Sequence, residues 1–127
     1  MQHADFSGAN LSQANFSNTF LAVEQQGDVG KGPALFIGAI LESTNFFQAY
    51  ISDADFSQAT LTNVDFRQAY FDAAKFFEAR IVTSDFTNAQ FHGTSFLGAE
   101  MDLVLVCGEG HHCDQVVLPG GELISNP

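Results

Sequence analysis

Basic residues are scarce in this chain of 127 residues, which contains four lysine and arginine residues against fifteen aspartate and glutamate residues. The formal net charge is −11 at pH 7. Proteins that bind nucleic acid or anionic lipid directly use basic patches, so this balance argues against both partners. We therefore expect no direct binding of nucleic acid and no attachment to a membrane.

Long apolar runs are missing as well. No stretch of about eighteen consecutive apolar residues occurs, so no transmembrane helix is predicted. The first residues, MQHADFSG, contain neither the basic nor the apolar region of a signal peptide. We expect a cytoplasmic protein, or a protein of the thylakoid lumen or periplasm if a targeting segment has been removed.

What the sequence does contain is a large apolar residue at every fifth position. The segment DADFSQATLTNVDFRQAYFDAAKF, residues 53–76, places them at Phe56, Leu61, Phe66, Phe71 and Phe76. A step of five drifts about 140° around a helix axis and changes face in a straight strand, so neither regular element fits. A small residue two positions before each large one points the same way in extended backbone. The chain is therefore predicted to bend once per repeat.

The period runs through most of the chain. The large position occurs eighteen times, at Phe6, Leu11, Phe16, Leu21, Phe36, Leu41, Phe46, Ile51, Phe56, Leu61, Phe66, Phe71, Phe76, Ile81, Phe86, Phe91, Phe96 and Met101. The small position is alanine in thirteen repeats, and the residue between the two is often Asp or Asn. Over about residues 4–103 the sequence resembles the pentapeptide repeat proteins, whose consensus is A(D/N)LXX or A(D/N)FXX.

The resemblance implies an all-β fold, a right-handed quadrilateral parallel β-helix with four pentapeptides per coil. At a strand-pairing distance of about 4.8 Å, four to five coils would form a rod roughly 20 Å tall. The large and small residues would fill its interior, and the other three positions of each repeat would face water. Residues 24–33, EQQGDVGKGP, interrupt the repeat without changing its phase. They form either a bulge from a corner or two sides of a coil.

Residues 104–127 lack the period and are predicted to cap the last coil, with short strands at 103–107 and 115–118. No comparable segment precedes Ala4, so the N-terminal coil is a candidate for end-to-end pairing with a second copy of the chain.

Two cysteines, Cys107 and Cys113, bracket the tail sequence GEGHH. Three hypotheses are open for them. They form a disulfide with each other, they remain free thiols in a reducing compartment, or they bind a metal together with His111 and His112. Those ligand types suit zinc, but their spacing matches no standard zinc finger.

Residues twenty apart are expected to stack on the surface of such a helix. Ser52, Asp72 and His92 share one column, but the serine and the histidine would lie about 9.6 Å apart. General-base activation needs about 3 Å, so no catalytic triad is predicted. Since nothing else gathers an acid, a base and a nucleophile, we expect no enzymatic activity and no cofactor.

Several aromatic residues are predicted to point outward. A Tyr50–Tyr70 stack and a cation–π contact between Arg67 and Phe47 are expected. Unless residues 24–33 or the tail cover them, these side chains form a candidate interaction surface consisting of Phe47, Tyr50, Arg67, Tyr70, Phe77 and Leu97.

Three functions follow from these patterns. The first is a non-enzymatic acidic scaffold or protein-interaction module with an unidentified protein partner. The second is a DNA-mimic modulator of a type II topoisomerase, as known for some members of the family that the sequence resembles. The third is a small metal-binding or redox-responsive protein that uses the Cys/His tail.

Overall fold

The computed structural model describes residues 4–21, 33–101 and 112–124. In these ranges the regular elements are eleven short β-strands. They are β1 Phe20–Leu21, β2 Ile40–Glu42, β3 Tyr50–Ser52, β4 Thr60–Thr62, β5 Tyr70–Asp72, β6 Arg80–Val82, β7 Gln90–His92, β8 Glu100–Met101, β9 His112–Asp114, β10 Val116–Val117 and β11 Leu123–Ile124.

The strands and bridges form four parallel ladders, one for each side of a square coil. Side one runs through Asp5, Leu35, Asp55, Lys75, Ser95 and Val117. Side two starts at Asn10 and continues through β2, β4, β6 and β8. Side three runs through Asn15, Asn45, Asp65 and Asp85. Side four consists of β1, β3, β5, β7 and β9. The predicted quadrilateral parallel β-helix is confirmed.

The pairing register shows what residues 24–33 contribute. Partners on consecutive coils are normally twenty residues apart, as for Tyr50 and Tyr70. Across residues 24–33 they are thirty apart, as for Leu21 and Ile51. The first coil therefore pairs with the second without these ten residues. Residues 24–32 themselves lie outside the described ranges, so the choice between the two alternatives stays a prediction.

The corners explain two features of the repeat. The residue two positions after the large one has a positive φ, between 52° and 64° at the non-glycine corners of the coils. On sides one and three the next N–H donates to the carbonyl of the large residue, as from Ala59 to Phe56 at 3.0 Å. This combination is a type II turn. The Asp or Asn before the large residue accepts from the N–H two residues on, as Asp55 does from Ser57 at 2.9 Å. Such Asx turns favour Asp and Asn at this position.

The interior contains two continuous columns of phenylalanine rings, on sides one and three. Side two is aliphatic, and side four starts with Leu21 and Ile51 and continues with the stacked rings of Phe71 and Phe91. On side one the centroids of Phe36, Phe56, Phe76 and Phe96 are 4.7 to 4.9 Å apart. On side three those of Phe16, Phe46, Phe66 and Phe86 are 4.9 to 5.1 Å apart. Rings from the two columns meet edge to face across the interior, the second favourable geometry for aromatic pairs. The predicted burial of these rings is confirmed.

The described C-terminal residues, 112–124, continue the parallel ladders of the β-helix and then end them. β9 pairs with β7 at a spacing of twenty-two residues, which places Cys113 at the inward position beside Phe91. Val117 then pairs with Ser95 on side one. β10 turns back into the antiparallel strand β11, so the parallel pairing ends there. The predicted strand at 103–107 lies outside the described residues.

The N-terminal coil exposes part of the core, because Phe6, Leu11 and Ala14 are only partly buried. Residues 1–3 lie outside the described ranges. End-to-end pairing through this coil stays a prediction.

Candidate protein-interaction surface

The six candidate surface residues divide between two places. Four lie around the corner between sides three and four, and we call them the aromatic corner: Phe47, Arg67, Tyr50 and Tyr70. Phe77 and Leu97 lie on side one, on the opposite side of the square from side three. The expected surface is therefore not one continuous patch.

Two tyrosine rings form one edge of the aromatic corner. Tyr50 and Tyr70 are paired in register as the first residues of β3 and β5, so their side chains leave the ladder at the same point on consecutive coils. Their ring centroids are 4.7 Å apart and the ring planes differ by 13°, which confirms the predicted stack. Burial, the neighbouring Tyr70 and the negative charge of Asp72 raise the pKa of Tyr50. Its phenol therefore stays protonated at neutral pH.

A guanidinium group over a phenyl ring forms the other edge. The Arg67 Cζ lies 5.3 Å from the centroid of the Phe47 ring, so the predicted cation–π contact is confirmed. Asp65 fixes this arginine through two bonds of 2.9 Å, from Nε to Oδ1 and from Nη2 to Oδ2. The hydrogen bonds from Arg67 lower the pKa of the Asp65 carboxyl group. The Arg67 guanidinium group is thus held in place before any partner protein binds.

An amide pair joins the two edges. Gln48 Nε2 donates to Gln68 Oε1 at 2.9 Å, between the phenylalanine–arginine pair and the tyrosine stack. At the next coil the corresponding corner positions are Thr87, Asn88 and Gln90, which are polar. The aromatic corner therefore spans two coils and is bounded by polar side chains above.

The pair on side one is smaller and partly covered. The Phe77 residue is 43% exposed, whereas Leu97 is half-buried. The turn of the C-terminal hairpin at Gly121 approaches the Leu97 side chain. One of the two expected residues is thus shielded by the tail, as one of the sequence hypotheses anticipated.

The column of Ser52, Asp72 and His92 has a fourth member that the sequence did not indicate. His92 Nδ1 is 2.9 Å from Oδ2 of Asp114, which lies on the coil above. The Ser52 hydroxyl instead bonds to Asp53 at 3.2 Å. The acid that orients the histidine is therefore on the side away from the serine, and the column has no nucleophile–base contact. Asp114 was missed because the last coil is two residues longer than the repeat predicts.

The tail cysteines are described only in part. Cys113 is fully buried and disulfide-bonded. Cys107 and His111 lie outside the described residues, and so does the side chain of His112. A disulfide sulfur supplies no thiolate, so Cys113 takes part neither in the free-thiol hypothesis nor in the four-ligand metal site. The Cys107–Cys113 pairing stays a prediction. In the part of the chain that the structure describes, no three His, Cys, Asp or Glu residues are grouped as metal ligands would be.

Comparison with known proteins identifies relatives of the fold. Residues 33–104 match the family described as Pentapeptide repeat region, and residues 1–22 match Pentapeptide repeats (8 copies). A crystal structure of a pentapeptide repeat protein from the Arabidopsis thaliana thylakoid lumen is 26% identical, with a TM-score of 0.68, over 94% of this chain and 80% of that one. One from the cyanobacterium Cyanothece 51142 is 17% identical, with a TM-score of 0.58, over 90% of each chain.

A search of the curated proteins found no match. Among the described residues no helix has the length and apolar character needed to cross a membrane. The two family matches leave out residues 23–32, in agreement with the register of the ladders.

Proposed function

Because the chain belongs to the pentapeptide repeat family, we propose that it is a non-enzymatic scaffold that binds another protein through the aromatic corner. The observation that carries this proposal is the fixed arrangement of two stacked tyrosines beside an arginine already held by Asp65. Tyrosine and arginine are enriched among the residues that dominate binding energies at protein interfaces. Side chains that are ordered before binding lose less conformational entropy when a partner arrives.

The chemistry of the outer faces supports a binding role over catalysis. In the described column of Ser52, Asp72, His92 and Asp114, the histidine is engaged by Asp114 and the serine by Asp53. A hydrolytic site would need the serine and the histidine in hydrogen-bond contact. Of the arrangements predicted from the sequence, this column most resembles a catalytic triad. The separation of its serine from its histidine supports the non-enzymatic proposal.

The acidic composition has a structural reason that does not involve DNA mimicry. Asp55, Asp65 and Asp85 each accept a backbone N–H in an Asx turn. Part of the negative charge therefore serves the corners of the coil. We accordingly prefer a surface defined by its aromatic side chains, and we expect no inhibition of DNA supercoiling by a type II topoisomerase in an assay with purified enzyme. Dose-dependent inhibition would favour the DNA-mimic function instead.

The disulfide at Cys113 supports a location in an oxidising compartment, because disulfides persist there and are rare in the cytosol. One of the similar solved structures comes from a thylakoid lumen. We therefore propose an oxidising compartment of this kind over the cytoplasm expected from the sequence.

A capture experiment tests the proposed surface. Immobilised wild-type protein, the Tyr50→Ser/Tyr70→Ser variant and a Phe77→Ser control on side one are exposed to an extract of the native host. A captured protein is then identified, purified and measured again as a single component. We expect the tyrosine variant to lose it and the Phe77→Ser control to retain it. Equal retention by all three proteins would show that the aromatic corner is not the binding surface.

A further inference from the structure

The charges around the aromatic corner are unbalanced. Sides three and four carry five carboxylates among their described residues, at Asp53, Asp65, Asp72, Asp85 and Asp114. Among the described residues of sides three and four, Arg67 is the one lysine or arginine. Asp65 binds it through both carboxylate oxygens. A partner that approaches this corner therefore meets an excess of negative charge, with the one guanidinium already neutralised.

One of these carboxylates lies directly beside the tyrosine stack. Asp72 follows Tyr70 by two residues within β5, so both side chains leave the same face of side four. Asp72 pairs in register with Ser52, just as Tyr70 pairs with Tyr50, so the carboxylate lies on the face of side four from which both tyrosines project. An aromatic surface and an anion thus adjoin each other on one face.

The corner already accommodates one cation in this way. Arg67 lies over the Phe47 ring while Asp65 holds it from the side. The face of an aromatic ring attracts cations, and an adjacent carboxylate adds to that attraction. Tyr70 with Asp72 repeats the same combination of an aromatic ring and a carboxylate, here without an arginine of this chain.

We infer that the aromatic corner binds an extended basic segment of a partner protein, with a lysine or arginine next to Asp72 and an apolar neighbour against the tyrosine rings. This inference rests on the proposed function and specifies the partner. A second copy of this chain fits poorly, since its net charge is −11. Nucleic acid fits poorly for the same reason.

Peptide binding measured by fluorescence anisotropy tests the inference. The probe is a short labelled peptide that alternates lysine with phenylalanine, and its matched control has glutamate in place of lysine. We expect the lysine peptide to bind wild type and the glutamate peptide not to bind. Tyr70→Ser should weaken binding about tenfold, as loss of an interface anchor does. Asp72→Asn should weaken it about fivefold, as loss of one exposed charge pair does.

A variant of identical net charge separates the site from general attraction of a cation to an acidic protein. Asp55→Asn on side one removes one charge and keeps the Asx turn, because an asparagine oxygen can accept the same N–H. We expect its affinity to equal that of wild type. Equal weakening by Asp55→Asn and Asp72→Asn, or equal binding of the two peptides, would overturn the inference. If capture from the extract still depends on the tyrosines, the proposed function stands and only the basic partner is wrong.

Discussion

Single residues in this fold differ sharply in how much space surrounds them, and Phe66 shows one extreme. Its ring is fully buried, stacked between Phe46 and Phe86. Replacing Phe66 with alanine should lower the free energy of unfolding by about 3–5 kcal/mol, because coils above and below cannot collapse into the cavity. Urea midpoints of Phe66→Ala and of the outward control Ser57→Ala measure the effect. Equal midpoints would mean that inward and outward positions have been confused.

Ala73 shows a backbone effect at a corner. Its φ is +55°, a conformation that costs an L-residue about 1–2 kcal/mol and glycine far less. Ala73→Gly should therefore raise the thermal midpoint. The neighbouring Ala74 points inward and is fully buried, so Ala74→Gly should lower the midpoint through a lost methyl group and added chain entropy. The reverse order of the two midpoints would contradict the corner geometry.

Asp65 gives the fold a pH dependence whose sign can be worked out. Hydrogen bonds from Arg67 lower its pKa below the ordinary value of 3.8, so the folded state favours the ionised carboxylate. This contribution is complete above pH of about 4 and is lost as the pH falls through the folded-state pKa. Stability measured between neutral and acidic pH should fall less in Asp65→Asn and in Arg67→Gln than in wild type. Identical profiles would show that this pair does not affect stability.

At the scale of the element, the sequence predicted the repeat but not its alternation. The five-residue period was sufficient to predict the inward rings and one bend per repeat, and the square coil was implied by the resemblance to the pentapeptide repeat proteins. From the second coil on, the corners after sides one and three are hydrogen-bonded turns, whereas sides two and four form the extended strands. A signal for this exists, because Asp55 and Asp65 precede the large residue on the turn sides, whereas Tyr50, Thr60 and Tyr70 do so on the strand sides. Turn sides and strand sides thus alternate, which is a period of ten residues. A single five-residue consensus averaged over all repeats does not show it.

The interruption of the repeat supplies a prediction of its own. Deleting residues 24–33 joins Val23 to Ala34 and leaves Leu21 and Phe36 five residues apart, which is the spacing of inward residues throughout 36–101. Since the ladders pair without these ten residues, the deleted protein should keep its β-type circular dichroism. Its thermal midpoint should be unchanged or higher, because a shorter loop costs less entropy to close.

The matched control deletes residues 54–58, which form one side of a coil. This variant should be strongly destabilised, since Leu61 would then fall on the phenylalanine column of side one and Phe66 on the aliphatic column of side two. Comparable loss of stability in both deletions would show that residues 24–33 are part of the coil.

At the scale of the whole molecule, the candidate surface depended on information that the repeat does not contain. Columns of outward residues could be read wherever the spacing is twenty, which is why the tyrosine stack and the Arg67–Phe47 contact were predicted correctly. Where the spacing becomes twenty-two, the contact of His92 with Asp114 could not be predicted. The separation of Phe77 from Phe47 could have been predicted, because the two residues are thirty apart, which is one and a half coils and places them on opposite sides.

A square coil with phenylalanine columns inside it is the claim on which the surface, the corners and the partner all depend. A nuclear Overhauser spectrum of the assigned protein tests it most directly, since it reports which rings touch. We predict ring-to-ring contacts from Phe46 to Phe66 and from Phe66 to Phe86, together with a contact from Phe16 to Phe46 across the longer register. Contacts confined to residues three or four apart, as in a helix, would contradict the account.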